Sequence, residues 1–339
     1  MQTFVDKVDS IEYNRAIYHG GRHLNLPNLL QTFRSRLSTD PRDKIFGLLG
    51  LVTKNPKYRA LRANYMLSVE AAYQEAFTHL LQETGDINLL VRPNEAKRKP
   101  DLPTWIPDWT ANIDEFDFNL ESLIRITSNL YNASRSTKSH IRYPIMTTTL
   151  RLKGLLFDEV ATLTEPFRKV FSRVNIIEYL QVLLNWMERQ PQLYIVGGDL
   201  VYTLMRLVSM DQVMVDSDDS IREIAQRATI EDYRKYQNSL ASFVDDLKTI
   251  SIFIRCLQVF TSRKGYIGLG PKNTRVGDTV HVFLGGNVPF MLRQITQQTS
   301  TVTQEKNYEF LGNCYVQGIM DGEALDGVDV NELDWVNLV

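Results

Sequence analysis

The chain has 339 residues, of which 43% are hydrophobic and 23% are charged, and these proportions are ordinary for a globular protein. Its formal net charge of -2 and its pI of about 6.2 exclude a global electrostatic attraction to nucleic acid. The two cysteines are too few for a disulfide framework, and no apolar run approaches the roughly 20 residues that span a bilayer. We therefore predict a cytoplasmic protein, with the nucleus as the alternative, and no membrane span.

The first well-marked element is a helix predicted from Asp40 to about Gly50. Asp40 is suited to cap its N-terminus, Pro41 fits the first helical position, and the acidic Asp43 favours the positive end of the helix dipole. Four apolar residues then recur at helical spacing and predict one buried face: Ile45, Leu48, Leu49 and Val52.

A longer amphipathic helix is predicted to follow Ser68, which is a candidate N-cap. Its expected apolar stripe consists of Val69, Ala72, Tyr73, Ala76, Phe77, Leu80 and Leu81. The next segment, residues 102–109, contains two prolines, which exclude a regular helix or a central strand. We expect it to be extended around Pro107, with Trp105 and Trp109 buried as anchors.

The middle of the chain is predicted to begin with a polar loop or linker and a strand that ends near residue 160. Helices are then predicted over residues 176–188, 199–209, 220–228 and 231–249.

The last third is rich in glycine and β-prone segments. Gly268, Gly270 and Pro271 are predicted to lie in a turn, and Gly277 with Asp278 is predicted to form a turn before a strand over residues 279–284. Short strands at this spacing favour an antiparallel unit. The acidic end of the chain is expected to be exposed.

The predicted fold class is therefore α+β, mostly helical, with a small C-terminal antiparallel unit that resembles a β barrel or sandwich. We divide the chain into a helical region (1–126), a polar loop or linker (127–145), a strand followed by helices (146–258), a glycine-rich β unit (259–325) and an acidic tail (326–339).

Residue types that carry out catalysis or bind cofactors do not form a convincing pattern. His19 and His23 flank two glycines, which favours a turn over a metal site. Cys256 and Cys314 lie among apolar residues, and a catalytic pair with His281 is an open but disfavoured alternative. We predict no catalytic, cofactor-binding or metal-binding residues, and no cofactor.

Several segments resemble, in chain order, the downstream portion of the fungal heterokaryon incompatibility (HET) domain family. They are residues 39–51 with Asp40-Pro41-Arg42-Asp43, residues 102–109, and residues 255–325, which include Gly318 and Gly322. The family's N-terminal core, with its Ser-Tyr-x-Trp-Gly strand, is not matched in residues 1–37. The resemblance implies a role in non-self recognition or programmed cell death.

The favoured functional hypothesis is a non-enzymatic recognition or regulatory protein that binds a protein partner, such as a HET-domain relative, and no nucleic acid. One alternative is an N-terminally truncated fragment of a full HET effector. A less favoured alternative is an enzyme that consumes a nucleotide or NAD, which the family's Toll-like core suggests by analogy.

Overall fold

The computed structural model describes residues 11–12, 14–20, 23–52, 55–91, 99–111, 123–143, 148–167, 172–190, 199–217, 220–236, 239–246, 257–295 and 306–339. Cys256 and the first residues of the predicted strand near residue 146 lie outside these ranges.

The labelled helices precede most of the strands in the chain. They are α1 (Leu26–Thr32), α2 (Asp43–Val52), α3 (Val69–Thr84), α4 (Arg173–Glu188), α5 (Leu200–Ser209), α6 (Ile230–Arg234) and α7 (Leu240–Asp246). Short 3-10 turns cover Pro56–Tyr58, Ile87–Leu90, Ser128–Leu130 and Glu323–Leu325. Among the described residues, no helix is both long enough and apolar enough to cross a membrane.

Helix α3 confirms the predicted cap and stripe. The Ser68 hydroxyl accepts a hydrogen bond from the Ala71 amide at 3.1 Å, and Gly85 ends the helix with a positive φ of 63°. The buried side chains are Ala72, Tyr73, Ala76, Phe77, Leu80 and Leu81. The long apolar stripe thus packs into the core, as its spacing predicts.

The strands are β1 (Ile141–Arg142), β2 (Leu150–Leu163), β3 (Gln212–Ser217), β4 (Ser220–Arg227), β5 (Leu257–Ser262), β6 (Ile267–Pro271), β7 (Thr279–Phe283), β8 (Phe290–Ile295), β9 (Asn307–Asn313), β10 (Tyr315–Val316) and β11 (Asp334–Leu338). Strands β3 and β4 form a separate hairpin, and the others form one mixed sheet in which β11 runs parallel to β9. The predicted α+β class is confirmed.

Strand β2 organises the large sheet. Its first residues pair with β1 and β11, its middle pairs with β7, and its end pairs with β5. Lys153 donates its amide to His140 and accepts the Leu284 amide on its carbonyl, so β1 and β7 follow each other along one edge. Strands β11 and β5 therefore lie along the other edge. From β11 the pairings continue through β9, β8 and β7 and return to β2.

Two of the predicted helices are wrong. Residues 220–228 form strand β4, because pairing with β3 in the register Gln212↔Arg227 supplies backbone hydrogen bonds that override the helical spacing of the apolar residues. Residues 231–249 do not form one helix over their described part. The Ser239 hydroxyl accepts the Ser242 amide at 3.1 Å and so caps a new helix, α7, inside the predicted one.

Two segments that were predicted to be peripheral are packed into the structure. In the predicted polar linker, Tyr131 and Ala133 are buried, and the Ala133 amide donates to the Asn287 carbonyl at 3.0 Å. The predicted exposed tail instead ends in β11, where Val336 and Leu338 are buried between β2 and β9. In both segments, backbone pairing with distant residues buries the chain, and local polar composition does not reveal it.

The sheet carries apolar clusters on both of its faces. One face joins the helices in the main core, with Leu152, Phe283 and Phe290 among its buried residues. The opposite face holds a smaller cluster that includes Phe260 and Val282. The strands are therefore covered on two sides, unlike a sheet with one wet face.

Candidate functional site

The Asp40-Pro41-Arg42-Asp43 segment forms a turn that leads into α2. The Asp40 carboxylate accepts hydrogen bonds from the Arg42 amide at 2.9 Å and from its guanidinium at 3.0 and 2.7 Å. These bonds to Arg42 lower the pKa of Asp40. The Pro41 carbonyl accepts the Tyr73 hydroxyl at 2.7 Å, which ties the turn to α3. With Asp40 as the N-cap, the first helical residue is predicted to be Pro41. The helix instead begins at Asp43, two residues later.

Arg42 also fixes a distant loop, residues 64–67, which we call the clamped loop. Its Nη1 donates to the Tyr65 carbonyl at 2.6 Å and to the Leu67 carbonyl at 2.7 Å. The Tyr65 hydroxyl donates to the Asp43 carboxylate at 2.5 Å, and its ring packs edge-on against Phe46. The Asp40–Asp43 segment therefore determines the shape of a loop that is more than twenty residues away in sequence.

The clamped loop presents a large apolar side chain to solvent. Met66 is 93% exposed, and its amide donates to the Asn64 side chain at 3.0 Å. Tyr65 beside it is 51% exposed. An exposed methionine and tyrosine on a loop held from both sides resemble the composition of protein-binding surfaces more than that of an ordinary surface turn. Sequence analysis missed this loop because its shape depends on the side chain of Arg42.

The segment with Trp105, Pro107 and Trp109 is buried, as predicted. The Trp105 indole donates to the Thr148 carbonyl at 2.8 Å, and the Trp109 ring meets Tyr73 of α3 edge-on, with ring centroids 4.9 Å apart. Tyr73 thus joins the tryptophan segment to Pro41, so the Asp40–Asp43 segment and the tryptophan segment meet on one helix.

We expect Trp109→Ala to lower the free energy of unfolding by about 3–5 kcal/mol, because it removes a buried aromatic side chain and leaves a cavity against Tyr73. Urea denaturation followed by circular dichroism measures this loss. A decrease below about 1 kcal/mol would show that the segment contributes little to the core.

Gly268, Gly270 and Pro271 lie in strand β6, where a turn was expected. A Cβ on Gly268 would stand 2.6 Å from both the Phe260 ring and the Tyr315 carbonyl. The glycine is therefore explained by close strand packing, since its φ is not in the left-handed region.

Gly277 and Asp278 form the predicted turn before β7. Gly277 has a positive φ of 92°, and the Asp278 carboxylate accepts two hydrogen bonds from Arg293, both at 2.8 Å, and one from the Arg275 amide at 2.6 Å. Asp278 is buried, and this bidentate pair raises the pKa of Arg293. The turn thus holds β7 against β8.

Gly318 and Gly322 lie after β10, and both have positive φ angles, of 91° and 99°. A Cβ on Gly322 would stand 2.2 Å from the Cγ of Arg135, which forms an ion pair with Asp326. These residues shape the connection between β10 and β11 and do not join the clamped loop in one site.

A buried polar network around Asp211 joins α5 to the sheet. Arg206 donates to both Asp211 carboxylate oxygens at 2.6 Å, and the Tyr315 hydroxyl donates to one of them at 2.8 Å. Arg227 lies 3.7 Å from the same carboxylate and stacks on the Tyr131 ring. We call these residues the Asp211 network; they come from distant parts of the chain.

The Asp211 network has the electrostatics of a structural anchor. Burial and then the Asp211 carboxylate raise the pKa of Tyr315 well above its ordinary value, so its hydroxyl stays a hydrogen-bond donor. Met210 and Asp211 both have a φ of 54°, an unusual conformation for two consecutive residues other than glycine. No local sequence pattern pointed to this network, because its members meet only in the folded chain.

We expect Asp211→Ala to destabilise the protein by about 3–5 kcal/mol, because it leaves the Arg206 charge and the Tyr315 hydroxyl without their acceptor. Asp326→Ala is the matched control, since its ion pair with Arg135 is exposed and is expected to contribute about 0–1 kcal/mol. Equal urea midpoints for the two variants would contradict the anchoring role.

Cys314 and His281, the described members of the proposed catalytic pairs, are buried and lie apart. Burial raises the pKa of the Cys314 thiol well above its ordinary value, and Cys314 belongs to the smaller apolar cluster. His281 instead packs against Phe283 and Tyr308 on the other face. Burial lowers the pKa of His281 to about 3. Across the described part of the chain, no group of three or more His, Cys, Asp or Glu side chains could hold a metal ion.

The lowered pKa of His281 predicts a contribution to acid unfolding. Between about pH 6.5 and pH 3, the unfolded chain binds a proton at this residue and the folded chain does not, so the stability that His281 contributes is lost as pH falls. The loss is at most about 1.4 kcal/mol per pH unit. His281→Phe should show a shallower decline than the natural protein in urea titrations over this range. Equal slopes of stability against pH in the two proteins would contradict this contribution of His281.

Comparison with known proteins finds a match over the region that holds the Asp211 network, apart from Tyr131, and most of the sheet. Residues 196–333 match the Het-6 beta-barrel domain. This part of the chain is therefore similar to the C-terminal portion of proteins that carry the Het-6 beta-barrel domain. Strands β2 and β11 both lie outside the matched range, although the matched strands β7 and β9 pair with them.

A second comparison extends beyond that range. Heterokaryon incompatibility protein 6, OR allele, of Neurospora crassa is 23% identical over an alignment that covers 85% of this chain and 49% of that protein. The chain thus spans about half the length of the curated relative it matches. No solved structure matches it.

Proposed function

We propose that this chain is a HET-family, non-enzymatic recognition protein of non-self recognition or programmed cell death, and that the clamped loop contacts its protein partner. The observation that carries the proposal is the fixed presentation of Met66, which is 93% exposed on a loop bound by Arg42 and Asp43. The name of the Neurospora relative supplies the biological setting.

The geometry of the loop supports a binding role. Because Arg42 and Asp43 hold the loop before a partner arrives, little conformational entropy remains to be lost on binding. Methionine adapts its shape to an apolar pocket, while tyrosine and arginine beside it are residue types enriched at the centres of interfaces. A HET-domain relative is the partner we propose to test first.

The test is binding of the full chain to a purified HET-domain relative, measured by calorimetry, together with a barrage assay between fungal strains. We expect Met66→Glu to weaken binding at least about tenfold, because it places a charge in an apolar contact. Val276→Glu is the matched control, because Val276 is 61% exposed in the β unit, outside the clamped loop. The Val276→Glu variant should bind the HET-domain relative with the same affinity as the natural protein.

A second variant separates the loop's shape from its side chain. Arg42→Lys keeps the charge, but a lysine cannot bind the Tyr65 and Leu67 carbonyls and the Asp40 carboxylate at the same time. Amide hydrogen exchange at residues 64–67 should therefore become faster, and binding to the partner should become weaker. If a relative binds the natural protein and Met66→Glu equally well, the loop is not the contact. Loss of NAD during incubation with the pure chain would contradict the non-enzymatic part.

A further inference from the structure

Met66 carries the most exposed sulfur among the described residues. It is 93% exposed on the clamped loop, whereas Met214 in the β3–β4 hairpin is half-buried. The Cys314 thiol is buried, and burial raises its pKa, so little of the reactive thiolate is present. The other described methionines are between 0% and 4% exposed: Met187, Met205, Met210, Met291 and Met320. An oxidant in solution therefore meets Met66 before the other described sulfur atoms.

The clamp keeps the backbone around Met66 in one shape. The Arg42 guanidinium binds the Tyr65 carbonyl at 2.6 Å and the Leu67 carbonyl at 2.7 Å, one on each side of Met66. The Met66 amide also donates to the Asn64 side chain at 3.0 Å. An oxidant thus reaches the thioether on the folded loop, whereas each buried methionine must first become exposed by a local opening of the chain.

We propose that Met66 is a site of reversible oxidation by a peroxide, and that its sulfoxide prevents the clamped loop from contacting a partner. The consequence for binding rests on the proposed function, whereas the oxidation itself does not. The inference adds a modification site and a form of regulation to the recognition role.

The oxidation balances with peroxide as the oxidant. The Met66 sulfur attacks one peroxide oxygen, so an S–O bond forms and the O–O bond breaks. The attacked oxygen passes its proton to the departing hydroxide, which leaves as water. The sulfur loses two electrons and becomes a sulfoxide, and a methionine sulfoxide reductase reverses the step by oxidising two thiols to a disulfide and releasing the oxygen as water.

The sulfoxide changes the polarity of the clamped loop and leaves the clamp intact. It replaces an apolar, adaptable side chain with a polar one, whose oxygen would lose its water in an apolar contact. The Tyr65 hydroxyl beside it already donates to Asp43. The clamp itself consists of hydrogen bonds from Arg42 and Tyr65 and contains no sulfur. Oxidation should therefore weaken the contact without opening the loop.

The modification site is tested by treating the full chain with hydrogen peroxide and following each methionine by peptide mass spectrometry. We expect Met66 to form its sulfoxide at least about tenfold faster than each of the five buried methionines. Equal rates overturn the assignment of the site. A methionine sulfoxide reductase, supplied with thiol, should remove the added oxygen from the folded chain; a sulfoxide that it leaves in place overturns the reversibility.

The effect on binding is tested by calorimetry with the purified HET-domain relative, before and after peroxide treatment of this chain. Oxidation should weaken binding by the natural protein at least about tenfold. Met66→Leu keeps an apolar side chain without sulfur, so its affinity, whatever its value, should be the same before and after treatment. Equal weakening of both proteins places the effect at another residue and overturns the switch.

Two further readings separate this inference from the proposed function. If the relative does not bind even the untreated chain, the proposed function and the switch both fail, while the oxidation rates still decide whether Met66 is a modification site. Amide hydrogen exchange at residues 64–67 should be the same in the reduced and oxidised chains, because the clamp contains no sulfur. Faster exchange after oxidation would show that the loop opens, which contradicts an effect through polarity.

Discussion

The structure depends on the backbone pairing of β2, whose fourteen residues need partners on both edges. Strands β1 and β7 supply them along one edge, and β11 and β5 along the other. These partners come from before and after the helical segments, so the sheet can form only when the intervening helices fold back beside it. The HET-family match begins after β2, yet the matched strands depend on it.

Charged groups that look chemically available in the sequence are used here to hold segments together. Arg42 joins a helix start to a loop, Asp278 holds Arg293 and thereby β8, and Asp211 joins α5 to Tyr315. Each contact is charge-assisted and well directed, which gives specificity of shape as well as stability. These charged residues therefore determine the shape of the surfaces around them.

Elements with local signals could be predicted from the sequence, and those defined by distant partners could not. The Ser68 cap, the stripe of α3 and the burial of Trp105 follow from residues close in the chain. Strand β4 was predicted as a helix because only its pairing with β3 reveals it, and the Asp211 network has no sequence pattern at all. Gly268 was attributed to a turn because spacing does not separate a tight turn from a crowded strand.

The pairing of Gly154 in β2 with Asp334 in β11 joins two residues that are synthesised far apart in time. At ribosomal speeds of about 5–20 residues per second, the roughly 180 residues between them take about 10–35 seconds to emerge. During that interval β2 is on the nascent chain without β11, and its apolar residues and backbone groups are open to other chains. Expression of this protein should therefore depend on molecular chaperones and on slow synthesis at low temperature more than its final stability suggests.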